Sequence, residues 1–359
     1  MAGGAFIDAV GGQHPRNAWY MAGWDKDVPA GDVAAITILG QPLVLARDEA
    51  GAVFAMEDRC PHRAAPLSKG KCEQGGIRCW YHGVRFAADG RAVEIPGQDS
   101  IPPALKVRTF PVVERHAAIW VWMGDAARAD EAQIPPFVGY RHPDWAMTPG
   151  RLDYVAPARL IHDNLLDLSH IAYVHRETFG GGSEASADGW LTSNASTTTL
   201  PNGVAVERAR CGMPANRNSG LENGAGGDLW NRYTFTVPGI FIQQTQRYPA
   251  GTMDPANMQE CPGKSLLTTF TCQAVTPLTA DTTCYFFAFG GPAATHAHMQ
   301  DFFADLGLRA FLEDKAMIEA QWQIMQATGS HVMPLAMDQA VLKYDAVNKR
   351  LLKAEMEQA

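Results

Sequence analysis

Two short runs in the sequence hold residues that ligate metals. Cys60-Pro61-His62 is followed, after 16 intervening residues, by Cys79-Trp80-Tyr81-His82. Each run offers one thiolate and one imidazole. A [2Fe–2S] cluster with two cysteines on one iron and two histidines on the other can take one ligand for each iron from each run. The imidazoles remove negative charge, so the potential of such a cluster lies above that of an all-cysteine site. Structural zinc is the competing chemistry, but zinc modules usually pair cysteine with cysteine and histidine with histidine. Here both pairs are mixed, and the first has a single residue between its members. The remaining alternative, unrelated core cysteines beside surface histidines, does not account for two mixed pairs. Cys72 lies between the runs and is expected to be a bystander.

A second set is more dispersed. In RLIHDNLLDLSHIAYVH at 159–175, Asn164, Asp167 and His170 are spaced three apart and would share one face of a helix. A polar stripe beside leucines is costly inside a protein unless its groups are paired or bind a metal. His175 follows His170 by five residues, about 140° around a regular helix. Both could reach one metal only if the helix ends or distorts near Val174, and Gly180-Gly181-Gly182 suggests that it does. Two histidines need a carboxylate to complete the facial triad that leaves open positions on non-haem Fe(II). Asp314 in FLEDKAMIEAQW is the candidate, but Glu313 and Glu319 share its segment and spacing alone does not choose among them. The alternative is that the histidines are ordinary polar positions and 313–319 a solvated face.

These groups need a scaffold. Residues 34–58 are expected to form strands, with a turn at 48–51; a hairpin turning at Asp89-Gly90 and two strands within 110–124 follow. A mainly-β unit over residues 1–125, with both Cys/His runs in its loops, is the result. ARADEAQIPPF at 127–137 suggests a linker, leaving a second unit over 126–359. There, 188–290 alternates Thr/Val/Phe-rich runs with turns, as an antiparallel sheet does, and 297–327 and 338–358 are expected to be helical. The fold class is α+β. The glycine-rich SGLENGAGGD at 219–228 lacks a following helix, so a flexible loop is expected there, not a nucleotide cradle. Trp230, Tyr233, Phe241 and Gln273 occupy sheet positions that could line a pocket, or could simply pack the sheet.

The totals exclude several classes. The chain has 359 residues, enough for two domains. Its 30 basic and 38 acidic residues give a net charge of −8, and no long basic run marks nucleic acid as a partner. No secretory signal is seen in the first residues, and no apolar run is long enough for a transmembrane helix. Seven cysteines in a long chain make a poor disulfide framework; reduced cytoplasmic thiols, some of them metal ligands, fit better.

Taken together, the motifs resemble the oxygenase component of Rieske non-haem iron oxygenases over nearly the whole chain. RNAWYMAGW at 16–24, CPHRAAPLS at 60–68, CWYHGVRF at 79–86, FPVVERHAAIWVWMGD at 110–125, DNLLDLSHIAYVH at 163–175 and EDKAMIEAQ at 313–321 carry the likeness. IPGQDSIP at 95–102 is similar to the group that includes vanillate O-demethylase, dicamba O-demethylase and toluenesulfonate methyl-monooxygenase. The resemblance implies a Rieske cluster on Cys60, His62, Cys79 and His82, and Fe(II) on His170, His175 and Asp314. It implies that Asp167 bridges a Rieske histidine of the neighbouring subunit to an iron histidine, with Asn164 near the iron. It further implies a catalytic domain of helix-grip type, a homotrimer, and electrons from a separate NAD(P)H-dependent reductase or ferredoxin. The expected reaction uses O2 to hydroxylate a methyl or methoxy group of an aromatic acid; a methoxy carbon would leave as formaldehyde. Ring dihydroxylation or N-dealkylation by the same site, and a Rieske electron carrier without oxygenase activity, are the alternatives. His162, where some relatives have an aliphatic residue, is expected behind the ligands or facing solvent. The stretch 179–235 departs from the family pattern, so no pocket shape carries over.

Overall fold

A computed structural model describes residues 14–180, 194–214, 221, 225–254, 264–329 and 332–358. Half of the glycine-rich run at 219–228, Gly181, Gly182, Cys261 and the first 13 residues lie outside these. The chain divides into two compact units, Met1–Pro135 with Thr276–Ala280, and Pro136–Val275 with Asp281–Ala359.

The first unit contains three small sheets. Strands β1 (Trp19–Trp24), β2 (Asp32–Ile38), β3 (Gln41–Arg47) and β4 (Val53–Glu57) are followed by the short β5 (Lys71–Glu73), β6 (Gly76–Arg78), β7 (Arg85–Ala87) and β8 (Ala92–Glu94). Then come β9 (Thr109–Phe110), β10 (Val112–Arg115) and β11 (Ala118–Trp122). They pair in the orders β1-β11-β10, β2-β3-β4-β9 and β5-β6-β7-β8. Apolar β1 and β11 are buried along their whole length, which explains their uninterrupted aromatic and aliphatic sequences. His116 and Ala117, both at positive φ, make the tight turn between β10 and β11. The 127–137 segment, expected as a linker, carries two 3₁₀ turns and contains the division between the two units, and Trp19 Nε1 donates to the Asp130 carbonyl at 2.8 Å. Leu39 and Gly40 donate to the carbonyls of Pro277 and Leu278, which accounts for the stray segment of this unit.

The second unit is a seven-stranded sheet with helices. Its strands are β12 (Trp145–Tyr154), β13 (Asn194–Leu200), β14 (Gly203–Met213), β15 (Gly227–Thr236), β16 (Ile240–Tyr248), β17 (Leu267–Pro277) and β18 (Thr283–Pro292), in the order β12-β18-β17-β16-β15-β14-β13. The longer helices are α1 (Ala158–Leu166), α2 (Gln300–Thr328) and α3 (Gln339–Met356). Leu160, Ile161 and Leu165 of α1, Phe311 and Ile318 of α2 and Val341 and Tyr344 of α3 form one core with Tyr233, Phe235, Phe241, Tyr285 and Phe287 of the sheet. Trp230 points to the opposite face, against Ala209, Tyr248 and Met253. Among the described residues no helix is long and apolar enough to cross a membrane. The six described cysteines are all free thiols.

The stretch 159–175 departs from expectation. It is not one helix distorted near Val174; α1 already ends at Leu166, because Asp167 adopts extended angles (φ −115°, ψ 100°). The Asp167 carboxylate accepts from the Ser169 amide and hydroxyl, both at 2.9 Å, and so caps a 3₁₀ helix at Leu168–Ala172. This local bond competes with helix continuation, as aspartate side chains often do. Asn164, Asp167 and His170 therefore do not form one helical stripe.

Candidate metal and substrate site

The two Cys/His loops of the first unit have the same local design. Cys60 N donates to the Ala65 carbonyl and Ala64 N to the Cys60 carbonyl; Cys79 N donates to the Val84 carbonyl and Gly83 N to the Cys79 carbonyl. Each loop has its fourth residue after the cysteine at positive φ, Ala64 at 56° and Gly83 at 74°. The thiols are buried and the imidazoles exposed. Burial pushes the Cys60 thiol up, helped by the adjacent Cys79 thiol, and the rings of His62 and His82 lie 4.6 Å apart. Across the loops, then, cysteine neighbours cysteine and histidine neighbours histidine. The four donors do not all fall within 4.8 Å of one another. One tetrahedral zinc ion, with bonds of about 2.0–2.3 Å, would require a tighter group; two irons with separate ligand pairs would not. Arg78, just before Cys79, donates to the Gly83 carbonyl at 2.8 Å and to Glu94 Oε1 at 3.0 Å and Oε2 at 2.8 Å, tying the second loop to β8. Cys72 is held apart from the loops, its Sγ facing the Arg47 carbonyl, and burial raises it to about 11.

In the second unit, His170, His175 and Asp314 are the one such trio among the described residues whose ligating atoms all lie within 4.8 Å of one another. Helix α2 supplies Asp314 from its inward stripe, where Phe303, Gly307, Ala310, Phe311 and Ile318 are buried at helical spacing. Both imidazole Nε2 atoms point at Asp314 Oδ1, at 3.4 Å from His170 and 3.1 Å from His175. Both Nδ1 atoms are fixed from behind. His170 Nδ1 lies 2.6 Å from the Asp167 carbonyl, and His175 Nδ1 lies 2.8 Å from Glu313 Oε2. A carbonyl can only accept, so His170 carries its proton on Nδ1 and keeps a lone pair on Nε2; the Glu313 carboxylate imposes the same on His175. Burial alone would raise the Asp314 carboxyl, but His170 and His175, when protonated, hold it well below the usual range through hydrogen bonds and charge; loss of the Nε2 protons frees the two lone pairs for a metal. Two neutral imidazoles and one carboxylate around a common point are the donor set of a facial triad.

The neighbours of the trio sort the other candidates. Asn164 Nδ2 donates to Asp314 Oδ1 at 2.9 Å. Asp167 touches His170 through its carbonyl, not its carboxylate. Glu319 is turned away, accepting from Val155 N at 2.8 Å and pairing with Lys315. His162 does not face solvent; it is buried, edge-on to Phe235 and Tyr344. Glu313, weighed from the sequence only as a rival to Asp314, instead accepts from His175 and from Thr178 Oγ1, the latter at 2.7 Å.

A cavity of about 120 Å³ opens beside the trio. Phe179, Phe289, Phe303, Leu306 and Phe311 give it an apolar side. The sheet gives it a polar wall through alternate residues: Asn231 on β15, Gln243, Thr245 and Arg247 on β16, and Thr269, Thr271 and Gln273 on β17. Phe241 and Gln273 line it, as the sequence allowed; Trp230 and Tyr233 do not, the Tyr233 hydroxyl being bonded to the Leu166 carbonyl at 2.8 Å. Asn231 and Arg247 were not singled out from the sequence. Both faces of β16 carry mixtures of polar and apolar residues, so alternation gives no signal there.

Comparison with known proteins agrees with this geometry. Residues 18–111 match the model of the Rieske [2Fe-2S] domain, and residues 154–354 match that of the vanillate O-demethylase oxygenase C-terminal domain. The toluene-4-sulfonate monooxygenase system iron-sulfur subunit of Comamonas testosteroni is 36% identical over 345 residues, covering 95% of this chain and 97% of that one. A vanillate O-demethylase oxygenase subunit from a Pseudomonas species is 31% identical over 327 residues, covering 89% and 96%. Among solved structures, dicamba monooxygenase bound to 3,6-dichlorosalicylic acid superposes with a TM-score of 0.83 at 29% identity, covering 95% of this chain and 98% of that one. Dicamba monooxygenase with non-haem iron and dicamba gives 0.78 at 27% identity, covering 97% and 100%. With its N-terminal Rieske [2Fe–2S] domain and a mononuclear non-haem iron site in its catalytic domain, the chain belongs to the Rieske oxygenases, as an oxygenase component of the vanillate O-demethylase type.

Proposed function

We propose that this protein hydroxylates a methyl or methoxy carbon of an aromatic acid, with oxidative O-demethylation as the leading reaction. The observation that carries this is the trio His170, His175 and Asp314 opening onto a cavity with one aromatic and one polar side. Its volume is of the order of the roughly 150 Å³ cavity that accepts a benzene ring, so a single substituted ring suits it. For a methoxy group the balance is Ar–O–CH3 plus O2, two electrons and two protons, giving Ar–OH, formaldehyde and water.

Iron bound to the trio, when present, supplies open positions for oxygen chemistry. The chain's own residues do the rest. His170 and His175 present Nε2 lone pairs because the Asp167 carbonyl and Glu313 hold their Nδ1 protons. Asn164 donates to Asp314 and fixes the carboxylate rotamer. The phenylalanines exclude water and position the ring, and the sheet wall offers hydrogen bonds to its substituents. Cys60, His62, Cys79 and His82 hold the Rieske cluster as an electron relay, with electrons from a separate NAD(P)H-dependent reductase. The assembly proposed from the family is a homotrimer, in which Asp167 lies at the crossing between subunits.

The test is turnover with a surrogate reductase over methoxybenzoates, methylbenzenesulfonates and N-alkyl amides, scoring formaldehyde. Asp314→Ala should abolish product while keeping the visible absorption of the cluster. A cis-diol product would replace the demethylase reading with ring dihydroxylation. Unchanged electron delivery to an acceptor with no product from any compound, in the wild type as in Asp314→Ala, would mark an electron carrier.

A further inference from the structure

The polar wall of the cavity has an uneven charge. Strand register places its side chains in rows. Arg210, Leu229, Arg247 and Leu267 form one row across β14, β15, β16 and β17; Arg208, Asn231, Thr245 and Thr269 form the next. Directly opposed residues share a face of the sheet, so Arg208, Arg210 and Arg247 all stand on the cavity side. Arg208 and Arg210 are buried, and Arg247 lines the cavity itself. Three guanidiniums close together on one face of the sheet, one of them lining the cavity, are an unusual concentration in a chain whose net charge is −8.

Two further observations point to a ligand at this end. Asn231 is 1% exposed and lines the cavity, yet among the described residues neither its Nδ2 nor its Oδ1 has a hydrogen-bond partner. Gln273, 3% exposed and also lining it, leaves Oε1 unsatisfied. Buried amides without partners are costly, and native proteins rarely leave them so unless something binds there. Among the described residues no ion pair forms to Arg247, and burial pushes it down to about 10. Burial pushes Arg208 and Arg210 down; the Asp167 carboxylate partly offsets this at Arg208, whereas the positive charge of Arg247 and Arg208 adds to it at Arg210. An anion arriving beside Arg247 would relieve both the repulsion and the desolvation.

We propose that Arg247, with Asn231 in the adjoining row and Arg210 behind, forms the subsite for an oxyanion head group of the substrate, a carboxylate or sulfonate, and that this subsite selects ring acids over their neutral analogues. The inference rests on the hydroxylase reading above and assigns the residues that recognise the acid group of its substrate. Arg247 is a binding and specificity residue here, and takes no part in the oxidation itself.

The experiment uses the holoenzyme with both iron sites filled. Binding of 4-methoxybenzoate, 4-methylbenzenesulfonate and the neutral 4-methoxybenzamide is measured by calorimetry, and turnover by formaldehyde or alcohol release with a surrogate reductase. At least one anion should bind about 30-fold or more tightly than the amide, and Arg247→Met should erase that advantage by raising the anion's Kd while moving the amide's by less than about 3-fold. Arg247→Lys should recover part of the preference, and Asn231→Ala should weaken anions selectively. In turnover, Arg247→Met should raise KM and leave kcat nearly unchanged. Cluster absorption and iron content check that each variant folds; should Arg247→Met fail to fold, Asn231→Ala provides the same comparison. The ratio of the two anions tells carboxylate from sulfonate. Equal binding of anions and amide by the wild type, equal losses in Arg247→Met, or no binding of any anion would overturn the subsite. Selective anion binding without oxidised product would leave the subsite standing and sink the hydroxylase reading; equal oxidation of neutral and anionic compounds would do the reverse.

Discussion

At the scale of single residues, Glu313 shows how a side chain next to a ligand shapes the site without joining it. Its carboxylate accepts from His175 Nδ1 and Thr178 Oγ1, so it fixes both the tautomer and the tilt of that ring. Partners of this kind commonly contribute about 10–100-fold to metal affinity or activity. Glu313→Ala should weaken iron retention by that factor in a chelator competition, and Glu313→Gln, which still offers a carbonyl oxygen, should recover part of it. Some of this chemistry was legible in the sequence. The four Cys/His positions stand out because mixed pairs are rare, and Asp314 could have been chosen by helical phase, since it stands three after Phe311 and four before Ile318 in the buried stripe of α2. Glu313 was not legible as an orienting group, because its function depends on a loop 138 residues away. Asn231 and Arg247 were hidden for a different reason: Asn231 is a lone polar residue on the otherwise apolar face of β15, and β16, which carries Arg247, shows no contrast between its faces.

At the scale of elements, the stability of the cluster loops depends on short strands whose pairing is reinforced by charge. Glu94 on β8 accepts from Arg78 and Arg85, and these two guanidiniums hold its carboxyl at about 2, below the ordinary 4.5. A carboxylate depressed in the folded state stabilises it above the unfolded value, and that stabilisation is lost as pH falls towards the folded one. Glu94→Gln should therefore lower the urea midpoint of the protein at pH 7, with the gap to wild type closing between pH 4.5 and about 2. Raised salt should shrink the difference at neutral pH, because the pair is exposed to solvent. The hairpins were foreseeable from their turn residues and β-branched runs. The break at Asp167 was not, because an aspartate in the middle of a leucine-rich run fits a helix interior and a cap equally well until its partner, Ser169, is seen to take it.

At the scale of the whole molecule, two metal sites of different softness stand in separate compact units. The Rieske site joins buried thiolates to imidazoles, whereas the mononuclear site offers two nitrogens and a carboxylate beside an open cavity. A hydrophilic chelator should strip the second before the first. Turnover should then vanish while the visible absorption persists, and added Fe(II) should restore activity; loss of both signals together would contradict this order. The two-unit organisation was legible because each constellation called for its own scaffold, whereas the return of Thr276–Ala280 to the first unit was not, since nothing in that pentapeptide marks a long-range partner. The matching turns of the two cluster loops also bear on how the sequence can drift. At position 64 an alanine already tolerates left-handed angles, which cost about 1 kcal/mol or more for a residue with a side chain. At position 83 a Cβ would come within 2.8 Å of Pro96 Cγ, so strain and collision act together. The two loops share one shape but differ in evolutionary freedom: the first can exchange small residues at its hinge, while the second is confined to glycine for as long as Pro96 stays in place.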